Sequence, residues 1–304
     1  MPSRSINDVQ SPLMVHDIPR IERMSRAAYD GLARMNPSTL VHGLRGRAVD
    51  PYAVKLEWEG FKAPITQAKQ DNLDCGTLAH MMILEPHTVE QRVAIWTGKV
   101  RSGKEWDAFQ AENSSKLILR KCDFEQTRQG ALIAAGVPEI RSLLANCQIE
   151  QALLWREGSI NCKGQVDAIS ATTPQGTVNI PDLKTSYRID EQGAVRTIRD
   201  LNYRHKMAMY RRAVSQIRGV PTDDIRCFNI FVQIEPPYGV NIVQLGSDGL
   251  DWAEKQMLNL LGEVERCIES GIWKPLVIRS SFGMTSWEQF DAENVDFIEG
   301  AESE

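Results

Sequence analysis

Two short stretches of this 304-residue chain carry acidic and basic side chains at spacings that could hold a metal ion. Gly164-Gln165-Val166-Asp167-Ala168-Ile169 supplies one carboxylate, and Asn179-Ile180-Pro181-Asp182-Leu183-Lys184-Thr185 supplies a second with an ammonium two residues on. Alternate residues of a strand share a face, so Asp182 and Lys184 point the same way and Leu183 points into the opposite packing layer. Asp167, on the preceding strand, lies beside them in this reading. Two carboxylates and an ammonium among apolar strand residues are costly to desolvate without a compensating ion. Hard carboxylate oxygens, one backbone carbonyl and open water positions suit Mg²⁺, or Mn²⁺, better than zinc. Neither Asp182 nor Lys184 is expected to build the hydrophobic core.

The elements that must position these groups read as helices at both ends of the chain around a strand-rich middle. Helical spacing covers 21–35 and 66–85, the second stopped by Pro86 and placing His80 on or beside its buried face. Further helices are expected over 104–113, 123–135 and 138–146. Segments 152–155, 160–169 and 177–185, separated by Glu157-Gly158 and Pro174-Gln175-Gly176, read as a β-meander. A basic helix over about 194–218, broken near Asn202, comes next. Strands over 226–234 and 240–245 follow, then an amphipathic helix from 248 to about 270 capped by Gly271. The expected division is an N-terminal arm (1–20), one domain (21–275) and an acidic C-terminal tail (276–304). Trp96, Trp106 and Trp155 are read as packing residues rather than base-stacking ones.

No apolar run approaches the roughly 20 residues needed to cross a bilayer. With no secretory leader either, the expected setting is cytoplasmic, with no membrane partner. Six cysteines form no C-x-x-C pair, which argues against a zinc ribbon or an iron–sulfur cluster. The net charge of −5 is uneven: residues 285–304 hold seven acids and no base, so the rest of the chain is slightly positive. Residues 196–218 hold seven arginines and lysines against the single acid Asp200, a candidate phosphate-binding strip.

Four elements in order resemble the RecE/RecB-type exonucleases of the PD-(D/E)XK nuclease superfamily. Gly76-Thr77-Leu78-Ala79-His80, continuing to Leu84-Glu85-Pro86, is similar to a family G-x-x-x-H helix with the trailing residues of the RecE branch. Gly164 to Asp167 and Asp182-Leu183-Lys184 match the G-x-x-D and D-x-K core, and 203–210 resembles a Q-x-x-x-Y helix ending at Tyr210. Glu150 is similar to the glutamate ahead of the family's core strands, and 24–40 to its opening helix and turn. Gln165 stands where a basic residue is usual, and Lys206 replaces the glutamine of the last element.

The resemblance, over about 22–275, implies an α/β fold with a central mixed β-sheet flanked by helices. It implies a Mg²⁺-dependent (Mn²⁺ possible) exodeoxyribonuclease of the phage recombination branch. Asp167, Asp182, His80 and the Leu183 carbonyl would hold metal, Lys184 would act beside them, and Glu150 would be an outer or second-metal carboxylate. Arg204, Lys206, Tyr210, Arg211 and Arg212 would line the DNA path. The implied partners are double-stranded DNA ends, a RecT-like single-strand annealing protein and further copies of the chain as a homo-oligomer. The implied reaction digests linear duplex 5′ to 3′ and leaves single-stranded tails. Two alternatives stay open: a repair nuclease of the same fold with different polarity, and a non-catalytic DNA-binding or scaffolding protein that keeps the fold.

Overall fold

The computed structural model describes residues 5–10, 18–46, 48–61 and 64–277. In chain order the N-terminal part contains β1 (Arg20–Arg23), α1 (Arg26–Gly31), α2 (Pro37–Leu40), β2 (Leu44–Arg45), β3 (Ala48–Val49), α3 (Pro51–Trp58) and α4 (Gln67–Leu84). Then come α5 (Val89–Arg92), β4 (Val93–Trp96), α6 (Lys104–Glu112), β5 (Leu117–Arg120), α7 (Lys121–Gly136) and α8 (Pro138–Leu144). The C-terminal part contains β6 (Cys147–Glu157), β7 (Ile160–Ser170), β8 (Val178–Thr185), α9 (Glu191–Asp200), α10 (Tyr203–Arg218), β9 (Ile225–Val232), β10 (Val240–Gln244) and α11 (Ser247–Ser270).

Local chemistry sets the helix boundaries near the site. Thr66 caps α4 by accepting from the Lys69 N–H at 3.3 Å, and Pro86 follows its last turn. Asp190 caps α9 by accepting from the Gly193 N–H at 2.9 Å. Asn202, in the left-handed region at φ 53°, separates α9 from α10, and Gly219 at φ 65° ends α10. The basic stretch is thus two helices, bent where the sequence pattern breaks.

Two three-stranded sheets form the centre, ordered β1-β6-β7 and β10-β9-β8. β6 and β7 make an antiparallel hairpin closed at Gly158, whose φ of 55° suits a tight two-residue turn. β8 pairs in parallel with β9, the crossover running through α9 and α10, and β10 pairs antiparallel with β9.

The expected three-strand meander is therefore corrected. β8 lies next to β7 without a ladder between them, for a reason visible in its sequence. Alternate N–H groups of β8 face β7: Asn179 donates to Ser170 Oγ at 2.9 Å, Pro181 has no N–H, and Leu183 donates to Asp167 Oδ2 at 2.6 Å. Proline removes the middle donor, and side chains take the other two.

The main core lies between the sheets and α10, α11 and the N-terminal segments, around Leu153, Trp155, Ile180, Met209, Phe231 and Leu260. A smaller cluster on the other side packs Leu183 and Ile230 against Ala134 of α7 and Ile140 of α8. Two further expectations change, and one pair of strands is added. Within the expected N-terminal arm, Ile6 and Val9 are buried in the main core, so this part of it packs on the domain. The helix expected over 21–35 is β1, an edge strand paired with Gln151–Leu154, followed by the short α1 capped by Ser25. Between 93 and 120 a parallel pair, β4 and β5, brackets α6. Trp155 is fully buried and Trp96 packs on Trp106 and Phe109. Among the described residues no helix is long and apolar enough to cross a membrane. The acidic tail, from residue 278 on, lies outside the described residues.

Candidate functional site

A cleft of about 1180 Å³ opens among α1, α4, the strands β6, β7 and β8, and the N-terminal half of α10. Strand alternation builds its floor. Lys163, Gln165 and Asp167 share one face of β7 and line the cleft, while Gly164, Val166 and Ala168 are buried. Gly164 is required for packing: a Cβ there would sit 2.6 Å from Cε1 of Tyr210, whose ring closes the back of the site. Gly76 acts in the same way on α4, since a Cβ would meet Thr185 Oγ1 at 3.2 Å. The helix thereby approaches the end of β8 and carries His80 over Asp167.

His80, Glu150 and Asp167 each offer a ligand atom within 4.8 Å of the others, and His80 Nδ1 lies 3.5 Å from Asp167 Oδ2. Glu150 reaches this point through its backbone. The β6–β7 register pairs Ile149 with Ala168 and Gln151 with Val166, and between them Glu150 turns out of the ladder at φ 52°. A non-glycine residue in that conformation costs about 1–2 kcal/mol. Gln165 Nε2 donates to Glu150 Oε2 at 2.7 Å, and Arg26 Nη1 donates to Gln165 Oε1 at 3.4 Å. Arg26 thus brings positive charge to the place where Gln165 itself is neutral. Burial pushes the Glu150 carboxyl up to about 7, aided by the negative charges of Asp167 and Glu85.

Asp182 is buried behind this triad and is not among its gathered ligand atoms. Its Oδ2 accepts from Lys184 Nζ at 2.5 Å and from Asn229 Nδ2 at 3.1 Å, Asn229 being its parallel partner on β9. The Leu183 carbonyl accepts from Lys184 Nζ at 3.0 Å. Burial opposes charge on Lys184, but the carboxylates of Asp182 and Asp167 outweigh it and hold the ammonium above the ordinary lysine range. Asp182 stands outside the hydrophobic clusters, yet β8 places it in a buried position, and of this strand only its neighbours Lys184 and Thr185 reach the cleft.

Tyr203 and Lys163 also belong to the cleft, although the sequence reading gave them no role. Lys184 Nζ lies 5.2 Å and Lys206 Nζ 5.4 Å from the Tyr203 ring centroid. The stripe Tyr203, Lys206, Tyr210 at helical spacing was the signal for the tyrosine. Lys163 lies two and four residues before Gln165 and Asp167, so alternation was its signal. It donates to the Tyr29 and Leu32 carbonyls at 2.7 and 3.0 Å, tying β7 to the end of α1.

The DNA-facing strip is corrected in two positions. Arg211 is buried and paired with Asp251 and Glu254 of α11. Arg212 grips Glu157 through Nε and Nη2 at 2.6 and 2.9 Å, and Glu254 at 3.0 Å. These guanidiniums fasten α10 to β6 and α11 and have no charge left for phosphate. Arg204 lies along α11 against Gly249, and Lys206 has no carboxylate at ion-pair distance among the described residues. Tyr210 lines the cleft with a buried ring.

One imidazole nitrogen and two carboxylates are a donor set for a divalent cation, the carboxylate oxygens suiting a hard ion and the imidazole a borderline one. Burial is the main cause that raises the Glu150 carboxyl and the Asp167 and Glu85 carboxylates add to it, so a cation held here would offset negative charge gathered at the half-buried triad. The residues present fit a metal.

Among known proteins, a family model for a PDDEXK-like domain of unknown function (DUF3799) matches residues 55–275. No curated protein matches the chain significantly. Among solved structures, a "putative exonuclease" from Eubacterium rectale superposes with a TM-score of 0.58 at 12% identity, over 90% of this chain and 99% of that one. That likeness is one of fold. Two others are too distant to carry an argument. SSO0001 has a TM-score of 0.25 at 15% identity, over 64% of this chain and 94% of that one. Protein VC1899 of Vibrio cholerae has a TM-score of 0.22 at 12% identity, over 84% and 60%. The family match spans most of the chain and includes α4, β6, β7, β8 and α10, the elements that carry the site, so the chain belongs to the PDDEXK-like family DUF3799, with the α/β fold of PD-(D/E)XK nucleases.

Proposed function

We propose that this protein is a divalent-metal-dependent phosphodiester hydrolase acting on DNA. The observation that carries the reading is the convergence of His80, Glu150 and Asp167 within 4.8 Å, beside the Lys184–Asp182 pair, in one open cleft. A bound divalent cation would supply an activated water and neutralise charge on the scissile phosphate. The chain's own residues account for the rest. Lys184, held charged by Asp182, stabilises negative charge as it develops on the phosphoryl oxygens and keeps its proton throughout. Asn229 fixes the Asp182 carboxylate that positions it. Arg26, paired with Asp30 at 2.9 Å, and Lys163, held by the Tyr29 and Leu32 carbonyls, stand in the cleft wall and offset part of the negative charge of Glu150 and Asp167.

The finer reading follows the resemblance: an exodeoxyribonuclease that enters at a duplex end, digests 5′ to 3′ and passes its single-stranded tail to an annealing protein, as a homo-oligomer in phage recombination. Mg²⁺ is the proposed ion, and Arg204 and Lys206 remain the proposed backbone contacts on α10. The test incubates the protein with linear, nicked and closed-circular duplexes labelled at either end, with Mg²⁺ and with chelator. Loss of label from linear duplex alone, in Mg²⁺ alone, supports exonuclease action. Cutting of closed circles would replace it with endonuclease action, and no cleavage of any DNA in Mg²⁺ or Mn²⁺ would overturn the enzymatic reading.

A further inference from the structure

The loop that leaves β8 carries an aromatic side chain that the fold does not use. Tyr187 is 70% exposed, two residues beyond the cleft-lining Thr185 and three beyond Lys184. Its backbone is fixed on all sides. Ser186 N–H donates to the Val232 carbonyl at 3.0 Å, and Gln233 Nε2 donates to the Tyr187 carbonyl at 2.6 Å. Ser186 Oγ donates to the Arg188 carbonyl at 3.0 Å and accepts from the Arg188 N–H at 3.2 Å. Arg188 lies against the first turn of α9, where a Cβ on Gly193 would fall 2.8 Å from the arginine Cβ. Its guanidinium carbon sits 5.1 Å from the Tyr187 ring centroid.

A braced backbone that carries an exposed aromatic ring with a guanidinium beside it has the make-up of a stacking platform. Every nucleobase has a π face to lay on such a ring, and the guanidinium supplies a cation for the phosphate beside it. Two residues of extended chain span at most about 7 Å, so the platform stands at the rim of the cleft. We propose that Tyr187 and Arg188 form a nucleobase-stacking site for single-stranded DNA, engaging the strand next to the phosphate in the cleft. Bases inside a duplex are already stacked on each other and only a terminal pair offers a free face, so away from an end the site discriminates for an unpaired strand. The inference rests on the nuclease reading for the choice of DNA, but its test is a binding measurement that needs no hydrolysis.

Fluorescence anisotropy of a labelled 15-nucleotide oligo(dT), in chelator, compares the wild-type protein with Tyr187→Ala, Tyr187→Trp and Arg188→Ala. A stacked base is worth enough that Tyr187→Ala is expected to bind about tenfold more weakly. Tyr187→Trp should bind as well as wild type, and the emission it adds over the seven native tryptophans of wild type should be quenched in proportion to bound oligonucleotide. An abasic oligonucleotide of the same length should bind wild type and Tyr187→Ala alike. Undiminished oligo(dT) binding by a folded Tyr187→Ala would overturn the proposal, as would an equal loss for the abasic strand. Failure of the duplex-cleavage test with this pattern intact would remove the nuclease reading and leave the stacking site.

Discussion

Replacing Glu150 by glutamine removes one negative charge from the cleft and leaves side-chain size and backbone conformation nearly unchanged. In the folded protein, burial first, and then Asp167 and Glu85, push this carboxyl from its ordinary 4.5 up to about 7. The folded state therefore keeps a proton that the unfolded chain has released, and stability falls as pH rises from about 4.5 to about 7, staying lower above that. The full difference amounts to about 3 kcal/mol at pH 8. For a chain of this length that corresponds to a melting-temperature rise of roughly 5 °C in Glu150→Gln. The assay is a set of thermal melts in chelator from pH 4 to 8. The two proteins should coincide at pH 4 and diverge progressively, with the variant the more stable. Added Mg²⁺ should close most of the gap, since saturation at a hundredfold excess over Kd stabilises wild type by about 2.7 kcal/mol and the variant by much less. Equal stability of the two at pH 8 in chelator, or a gap that does not change with pH, would refute the account of a crowded, uncompensated carboxylate.

Glu150→Gly and Glu150→Ala both lose the charge, but only glycine relieves the left-handed backbone, so Gly should be the more stable by about 1 kcal/mol in chelator melts. Asp182→Ala should cost about 3 kcal/mol in urea unfolding, because it strands the Lys184 ammonium among buried groups. Lys184→Met should abolish hydrolysis and keep the Mg²⁺-induced rise in melting temperature, which separates its role from that of the metal ligands. Arg211→Ala should lower stability and leave the salt dependence of DNA binding unchanged, whereas Lys206→Ala should flatten that dependence by about one unit of slope.

The parts of the molecule legible in the sequence are those set by neighbours in the chain. Thr66 and Pro86 mark both ends of α4, Gly219 and Gly271 end α10 and α11, and alternation puts Leu183 opposite Asp182 and Lys184. What stayed hidden depends on partners far away in sequence. Arg211 and Arg212 read as free basic charge because Asp251, Glu254 and Glu157 lie some 40 to 55 residues off. The parallel pairing of β8 with β9 carries no local mark beyond Pro181, and Ile6 and Val9 are too isolated a pair of apolar residues to announce a core contact. The turn of Glu150 out of β6 went unread because glutamate gives no sign of a positive φ.

The absence of a ladder between β7 and β8 gives the site a built-in gauge. The Leu183 N–H is held by Asp167 Oδ2, a carboxylate of the proposed metal-binding triad, and the Asn179 N–H by Ser170 Oγ. These two amide protons are protected by side chains rather than by a neighbouring strand. Their exchange with deuterated solvent thus follows the state of the residues that hold them, and the Leu183 proton in particular times the release of Asp167 from its backbone partner. A cation drawing on that carboxylate competes for the same oxygen. The seam between the two sheets can then be watched amide by amide as the cleft fills.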